Sequence, residues 1–231
     1  MSYVFPPSPT VSVPVVGAPA RFPVHRIYCV GRNYEEHAQE MGHSGREPPF
    51  FFMKPADAIV VVEAGQTATL PYPSLTRNLH HEIELVVAIG TGGRDIAVDQ
   101  ALRHIYGYAV GLDMTRRDLQ NDMKKQGRPW CIGKGFDHSA PIGPITPAAA
   151  LPGIHQADIR LQVNGTLRQH SQIDRLIWNV AETIAQLSSA WELQAGDLIY
   201  TGTPAGVAAV VPGDTLVAEV AGLTPISLTV R

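Results

Sequence analysis

The sequence has little cysteine, no run of basic residues and no long apolar segment. Only 2 of its 231 residues are cysteine, Cys29 and Cys131, and they lack the C-x-x-C spacing of redox and metal motifs. We therefore predict two reduced core thiols and a cytoplasmic location. The net charge of −3 argues against a nucleic-acid partner. No apolar stretch approaches the length of a membrane span and no signal-peptide pattern is found, so we expect no membrane partner.

Residues that make turns are abundant. The chain contains 21 glycines and 19 prolines, which favour β structure over a helical bundle. Its hydrophobic content of 45% and charged content of 17% are typical of a globular protein. We predict a mostly β protein with short helices (α+β). We divide it into a Pro-rich N-terminal arm, residues 1–24, and a single domain, residues 25–231.

The stretch LHHEIELVVA, residues 79–88, has the pattern of a buried strand bounded by turn residues. Because side chains alternate along a strand, Glu82 and Glu84 face the same way. Two neighbouring carboxylates resist burial unless a cation compensates them, and oxygen ligands suit Mg²⁺, Mn²⁺ or Ca²⁺. The alternative is an exposed edge strand with two hydrated carboxylates, and this stretch alone does not decide between them.

A second apolar stretch, residues 105–112, ends at Asp113. A carboxylate at the end of a buried strand is well placed as a third metal ligand, although it could equally cap the helix predicted for TRRDLQ. Arg117 and Gln120 are three residues apart on that helix, so both side chains can point the same way.

Two lysines interrupt apolar segments. Lys54 lies between two predicted strands within residues 49–62. We expect its side chain to extend to solvent, and contact with an anionic ligand is the alternative. Lys134 lies in WCIGKGFD, which we predict to be a strand. Because lysines are seldom buried without a partner, Lys134 indicates a nearby carboxylate, metal or anionic substrate. An ion pair with Asp137 is the alternative.

The segment at residues 31–42 predicts a short helix, capped by Asn33 and ended by Gly42. His37 and Glu40 are three residues apart and therefore share one face. A carboxylate beside an imidazole orients the ring and raises its basicity, as a general base requires. A surface pair without chemistry is the alternative.

The C-terminal half shows one hairpin, one helix and one polar corner. Residues 157–171 predict a hairpin around an Asn-Gly turn, and residues 175–191 predict a helix capped by Asp174. A later strand ends in TGTPAG, where Thr201 and Thr203 offer hydroxyls. The glycines there allow backbone N–H groups to approach an anion.

Six segments, in this order, resemble the fumarylacetoacetate hydrolase superfamily. They are GRNYEEHAQEMG, FFMKPADA, HHEIELVVAIG, GYAVGLDMTRRDLQ, GKGFD and IYTGTPAGV. The resemblance implies a mixed β-roll of the fumarylacetoacetate hydrolase type that forms a homodimer with one active site per subunit. Larger members carry an N-terminal β domain that this sequence does not show, so the likeness is to the compact acylpyruvase-like branch.

The same resemblance assigns roles to nine residues. The implied metal ligands, with Mg²⁺ expected and Mn²⁺ or Ca²⁺ as alternatives, are Glu82, Glu84 and Asp113. The implied catalytic dyad, carried on a lid helix, is His37 and Glu40. The implied contacts to substrate and oxyanion are Arg117, Gln120, Lys134 and Thr203, of which Lys134 is also expected to be catalytic.

The implied activity is metal-dependent hydrolysis of a C–C bond in a 2,4-diketo acid. Within the compact branch the likeness points to cleavage of 3-fumarylpyruvate into fumarate and pyruvate, a step of gentisate-type aromatic catabolism. The same site would suit oxaloacetate decarboxylation, general acylpyruvase activity or isomerisation of an unsaturated diacid. A non-catalytic, metal-dependent keto-acid binder is the alternative from another class. The presence of both His37 and Glu40 favours hydrolysis.

Overall fold

Strands dominate the chain, as the computed structural model shows for residues 2–35 and 46–231. The strands are β1 (Ser12–Pro14), β2 (Arg21–Pro23), β3 (Ile27–Gly31), β4 (Phe50–Lys54), β5 (Ile59–Val61), β6 (Thr67–Leu70), β7 (Leu79–His80), β8 (Ile83–Ile89), β9 (Ile105–Leu112), β10 (Thr115–Arg116), β11 (Ala140–Ile142), β12 (Thr146–Pro147), β13 (Asp158–Val163), β14 (Thr166–Gln172), β15 (Leu198–Tyr200), β16 (Ala209–Val210), β17 (Thr215–Val220) and β18 (Ile226–Val230). The α-helices of these ranges are α1 (Arg117–Lys125), α2 (Cys131–Lys134) and α3 (Val180–Ala190). The predicted class, mostly β with short helices, is confirmed.

Two large sheets and two small ones make up the fold. The eight-stranded sheet has the order β4-β3-β15-β8-β9-β11-β5, with β12 paired to β9, and the five-stranded sheet has the order β14-β13-β17-β18-β6. The small sheets are β1-β2 and β10-β7-β16. The large sheets are mixed, because β15–β3, β11–β5 and β18–β6 pair in parallel whereas pairs such as β8–β9 are antiparallel.

Strand β8 separates two hydrophobic cores. Its residues Leu85 and Val87 face one core, which the five-stranded sheet covers, whereas Val86 and Ala88 face a second core, which the β1–β2 hairpin covers. Because side chains alternate along a strand, Glu84 points to the same side as Val86 and Ala88. The carboxylate is therefore directed to the end of the second core.

The stretch predicted as one strand, residues 79–88, is interrupted. β7 and β8 belong to different sheets, and Glu82 lies in the break between them. The side-chain oxygen of Gln169 accepts a hydrogen bond from the Ile83 N–H at 3.1 Å and lies 2.8 Å from His81 Nδ1. A buried amide thus replaces the ladder hydrogen bonds that a continuous strand would make.

The helix predicted at residues 175–191 begins later than expected. It starts after Asn179, whose side chain accepts a hydrogen bond from the Glu182 N–H at 3.0 Å, while the Glu182 carboxylate accepts from the Asn179 N–H at 3.1 Å. The helix therefore begins at this reciprocal capping box and not at Asp174. Asp174 lies instead in a 3₁₀ turn that precedes the helix.

The predictions of a strand at Lys134 and of a core position for Cys131 are wrong. Lys134 lies in the single-turn helix α2 and not in a strand. α2 packs closely on α1, since a Cβ at Gly133 would lie 2.8 Å from the backbone nitrogen of Gln120. Cys29 is a buried free thiol, whose pKa is raised by burial, whereas Cys131 is exposed and is not a core residue.

The hairpin prediction is confirmed at its turn. β13 and β14 pair in antiparallel fashion around Asn164 and Gly165, which adopt φ of 52° and 74°. The strand–turn–strand prediction for residues 49–62 is also confirmed, as β4, a 3₁₀ turn and β5. The division at residue 24 stays a prediction. In the described ranges, no helix is both long and apolar enough to cross a membrane.

The helix predicted at residues 31–42 lies mostly outside the described residues, and with it His37 and Glu40, so both assignments stay predictions. Asn33 is described and is 1% exposed. Its amide group donates to the carbonyl oxygens of Trp178 at 2.9 Å and Thr201 at 2.8 Å and accepts from the Trp178 N–H at 2.8 Å. Asn33 therefore links β3 to two distant segments.

The corrected helix start gives a prediction on stability. Asn179→Ala should lower the free energy of unfolding by about 1 kcal/mol, because the substitution removes the cap of α3. Asp174→Ala, the matched control, should change it by less than about 0.5 kcal/mol. Urea unfolding of both variants measures this. A larger loss in Asp174→Ala than in Asn179→Ala would contradict the assignment of the cap.

Candidate active site

Three carboxylates meet where β8 begins and β9 ends. The antiparallel register places Ile83 opposite Leu112, and the Asp113 N–H donates to the Glu82 carbonyl at 2.8 Å. Glu82, Glu84 and Asp113 each offer an oxygen, and these atoms lie within 4.8 Å of one another. All three side chains are buried. The hairpin therefore brings together the three residues expected from the sequence to hold a metal.

A backbone donor fixes Glu84. The Gly202 N–H donates to Glu84 Oε2 at 2.8 Å. Gly202 has φ of 104°, and a Cβ at this position would lie 2.6 Å from the Cβ of Asn33, so only glycine fits here. The predicted approach of a backbone N–H to an anion at the TGTPAG corner is thus observed, and the anion is a carboxylate of the protein itself.

Two buried lysines compensate Glu82 and Asp113. Lys134 Nζ lies 2.7 Å from Glu82 Oε2, from Asp113 Oδ2 and from Thr115 Oγ1. Lys54 Nζ lies 2.8 Å from Asp113 Oδ1. The expectation that Lys54 extends to solvent is wrong, since its side chain is fully buried. A cation at the end of an apolar strand is retained there because Asp113 offers it a charged partner.

Lys134 pairs with the site carboxylates and not with Asp137, the partner considered as the alternative. Burial by itself lowers the pKa of Lys134, but the charges of Asp113 and Glu82 outweigh burial and raise the pKa above its ordinary value. These two carboxylates therefore favour the ammonium form of Lys134, whose positive charge can stabilise negative charge.

Arg117 connects Glu82 to α1. Its Nη2 donates to Glu82 Oε1, and its Nη1 donates to Gln120 Oε1 at 2.5 Å. Its Nε lies 3.3 Å from His80 Nδ1. Burial and the positive charge of Arg117 lower the pKa of His80 to about 4, so this imidazole is neutral near pH 7. Arg117 and Gln120 face the same side, as the spacing predicts.

Thr203 is held in place by a residue that the sequence analysis missed. Gln169 is fully buried, and its Nε2 donates to Thr203 Oγ1 and to the Pro204 carbonyl, both at 2.8 Å. Lys54 is a second site residue, which the sequence analysis assigned wrongly to solvent. It carries the signal that identified Lys134, a single lysine in an apolar segment, whereas Gln169 lies among polar residues of β14 and gives no such signal.

The donor set fits a divalent cation. Burial and the neighbouring charges of Asp113 and Glu82 raise the pKa of Glu84 well above its ordinary range. Within the described ranges, Glu84 forms no ion pair, and the Gly202 N–H is its hydrogen-bond donor. A bound cation would supply the missing positive charge, and three carboxylates are ligands that Mg²⁺ and Mn²⁺ prefer.

A cavity leads from the carboxylates towards β3 and β4. Arg117, Gln120, Lys134 and Thr203 line it together with the three carboxylates. Its other lining residues are Val30, Gly31, Arg32, Phe52 and Trp130. All described residues with a predicted role thus face one cavity.

The family assignment comes from a match over almost the whole chain. A family model described as the fumarylacetoacetate (FAA) hydrolase C-terminal region matches residues 26–231. The chain belongs to the fumarylacetoacetate hydrolase family. The family resemblance inferred from six short segments and the predicted fold of this type are therefore confirmed.

Within the fumarylacetoacetate hydrolase family, this chain is highly similar to fumarylpyruvate hydrolases. The chain is 50% identical over 184 residues to a fumarylpyruvate hydrolase of Ralstonia sp, covering 80% of this chain and 93% of the relative. The crystal structure of fumarylpyruvate hydrolase from Pseudomonas aeruginosa in complex with Mn²⁺ and pyruvate superposes with a TM-score of 0.97 at 56% identity, covering 99% of both chains. A mitochondrial oxaloacetate tautomerase of Homo sapiens is 38% identical over 205 residues, covering 89% and 91%.

Lys54, the buried lysine that the sequence analysis assigned to solvent, gives a second prediction. Lys54→Met should lower the free energy of unfolding of the chelator-treated protein by about 3 to 5 kcal/mol, because it removes one partner of a buried ion pair. Lys124→Met, at an exposed lysine of α1, is the control and should cost less than about 0.5 kcal/mol. Urea unfolding compares the two, and equal stability of both variants would show that Lys54 does not compensate Asp113.

Proposed function

We propose that this chain is a divalent-metal-dependent hydrolase that cleaves 3-fumarylpyruvate into fumarate and pyruvate. The observation that carries the proposal is the 56% identity over 99% of both chains to a fumarylpyruvate hydrolase whose structure contains Mn²⁺ and pyruvate. The cluster of three buried carboxylates beside two lysines supports it. The proposal includes a homodimer in the cytoplasm, a role in gentisate-type aromatic catabolism, and Mg²⁺ as the ion, with Mn²⁺ or Ca²⁺ as alternatives.

Glu82, Glu84 and Asp113 would hold the cation. Three protein ligands leave further positions for the substrate and water, as a catalytic site needs. The bound ion supplies Lewis-acid stabilisation of negative charge on the substrate oxygens. The contacts of Lys134, Lys54 and the Gly202 N–H fix the three carboxylates in place before any ligand binds.

The proton transfers are assigned to the predicted dyad. His37, oriented by Glu40, takes a proton from water, and the water oxygen bonds to the carbonyl carbon distal to the pyruvoyl group. The C–C bond then breaks, and its electron pair remains on the pyruvate enolate. Return of the proton from His37 to that carbon gives pyruvate, while the other fragment leaves as fumarate. Substrate and one water thus account for both products.

The remaining residues position the substrate. The Gln120 amide oxygen is already bonded to Arg117, so its NH₂ group is the part available to a substrate oxygen. Lys134 would stabilise the oxyanion of the attacked carbonyl through its positive charge. Arg117 and the Thr203 hydroxyl would hold carboxylate or carbonyl oxygens at the cavity wall.

The proposal predicts metal-dependent loss of the ultraviolet absorbance of 3-fumarylpyruvate. Addition of chelator should abolish the loss, and Glu84→Ala should weaken Mn²⁺ binding by more than about 100-fold, because even outer partners of a metal site contribute 10–100-fold. Glu63→Ala, at an exposed carboxylate, is the control and should leave both properties unchanged. If wild-type protein with either Mg²⁺ or Mn²⁺ leaves 3-fumarylpyruvate intact, the proposed function is wrong.

Oxaloacetate is the second candidate substrate. The 38% identity to a mitochondrial oxaloacetate tautomerase favours it. Oxaloacetate has the same 2-keto acid group as the diketo acids, and its decarboxylation would give the same pyruvate enolate. The absorbance assay should therefore be run with oxaloacetate and acetylpyruvate in parallel. Turnover of oxaloacetate alone would replace hydrolysis by tautomerisation or decarboxylation on the same carboxylate cluster, and release of CO₂ would distinguish the two.

A variant of the predicted dyad distinguishes an enzyme from a non-catalytic keto-acid binder. His37→Ala should lower kcat by about 10²- to 10⁴-fold, the usual contribution of a general base, without changing Mn²⁺ affinity. Steady-state kinetics and Mn²⁺ titration measure the two quantities. A binder would show no turnover in the wild type, and a variant with the full kcat would remove His37 from the mechanism.

A further inference from the structure

Arg32 lies where two cavities adjoin. It lines the cavity of the three carboxylates and also a neighbouring cavity along β4 that is bordered by Phe50, Met53 and Arg128. Lys134, which contacts the carboxylate cluster, lines both cavities too. A molecule that starts at Lys134 can therefore extend towards Arg32. No role in the proposed reaction has so far been given to Arg32.

The backbone at Arg32 is unusual for a residue with a side chain. Its φ is 56°, in the left-handed region that mainly glycine adopts. Both neighbours of Arg32 are closely held. Asn33 forms three hydrogen bonds, and the ring of Phe50 covers Gly31 so closely that a Cβ there would lie 2.0 Å from it. Strained conformations of this kind are concentrated at ligand sites, where they hold a side chain in position.

Within the described ranges, the guanidinium group of Arg32 has a nitrogen donor without a hydrogen-bond partner. It stacks on the ring of Phe50, 5.2 Å from the ring centroid, and its Nε is buried with no hydrogen-bond partner in the described part of the chain. Arg117, in contrast, uses all three of its nitrogens for Glu82, Gln120 and His80. A buried donor without a partner is costly, and a bound anion would satisfy it.

Charged groups of both signs act on Arg32. Burial lowers the pKa of Arg32, and the carboxylate of Glu47 partly offsets that effect. Lys124 lies close enough that partial burial and the charges of Arg32 and Arg117 lower its pKa. Arg32 and Lys134 are cations that line both cavities. Two cations along one space attract an anion, and the planar guanidinium group matches a carboxylate.

Aromatic rings lie between Lys134 and Arg32. Trp130 contacts Phe50 edge-on with ring centroids 5.2 Å apart and lies 6.0 Å from Phe52, whose ring is also 5.1 Å from Lys134 Nζ. Flat apolar walls suit a planar, conjugated carbon chain more than a bulky or hydrated one. The wall therefore favours an unsaturated acyl chain.

We infer that Arg32 is a specificity-determining residue that binds the distal carboxylate of the acyl group, with the unsaturated chain packed against Phe52 and Trp130. The inference rests on the proposed function, because it assumes that the acyl group leaves as a dicarboxylate. It explains why a substrate with a carboxylate at both ends would be selected over one with a single carboxylate.

The test compares two substrates that differ only at that end. 3-Fumarylpyruvate carries the distal carboxylate, and crotonylpyruvate carries a methyl group in its place. Arg32→Gln should lower kcat/KM for 3-fumarylpyruvate by about 10- to 150-fold, the effect of losing a hydrogen bond between charged groups. It should change kcat/KM for crotonylpyruvate by less than about 3-fold. Arg128→Gln, at the matched arginine of the neighbouring cavity, should leave the ratio unchanged.

Inhibition by fumarate and by crotonate measures the same preference without turnover of the inhibitor. Arg32→Gln should remove the preference for fumarate, while its thermal unfolding midpoint shows that the fold is intact. Equal losses with both substrates, or loss of the ratio in Arg128→Gln alone, would overturn the Arg32 assignment and leave the hydrolase standing. Wild-type protein that cleaves neither diketo acid would overturn the proposed function instead, and calorimetric titration with fumarate and with crotonate, for wild type and Arg32→Gln, would then decide on Arg32.

Discussion

The site depends on burying negative and positive charges together. Glu82 and Asp113 are paired with the cations of Lys54, Arg117 and Lys134. An uncompensated charge costs several kcal/mol inside a protein, so neither set could be buried alone. Glu84 has no such partner within the described ranges, and burial together with its two carboxylate neighbours raises its pKa well above the ordinary range. A divalent cation would supply the positive charge that Glu84 lacks and would favour its ionised form.

The fold brings these charges from separate parts of the chain. The antiparallel β8–β9 pair contributes the carboxylates, the end of β4 contributes Lys54, and the two short helices contribute Arg117 and Lys134. Gly202, after β15, adds a backbone donor. Each contribution is a strand end or a helix on a large sheet, so the positions of the charges follow from the sheet order and not from a flexible loop.

Local sequence patterns correctly predicted the features that neighbouring residues determine, such as turns and helix faces. Alternation and turn residues identified the hairpin at Asn164, and the spacing in the sequence placed Arg117 and Gln120 on one side of a helix. The break within residues 79–88 could not be predicted, because it is made by Gln169, which is distant in sequence. Lys54 was assigned to solvent for the same reason, since its partner, Asp113, is provided by another strand. Tertiary contacts thus decided the features that periodicity could not.

The two ends of the β8–β9 hairpin differ in how well they would tolerate an insertion. The carboxylates occupy one end, whereas the connection at residues 90–104 lies at the other, about 20 Å away for strands of this length. That connection carries exposed apolar side chains, Val98 and Leu102, and contributes no residue to the cavity. Ile96 and Ala101 fix the connection to the core, and Val98 between them is exposed. A recognition peptide inserted at Val98 would therefore leave the register of the hairpin and the catalytic end unchanged, so this position suits attachment of the enzyme to a surface or to a second enzyme.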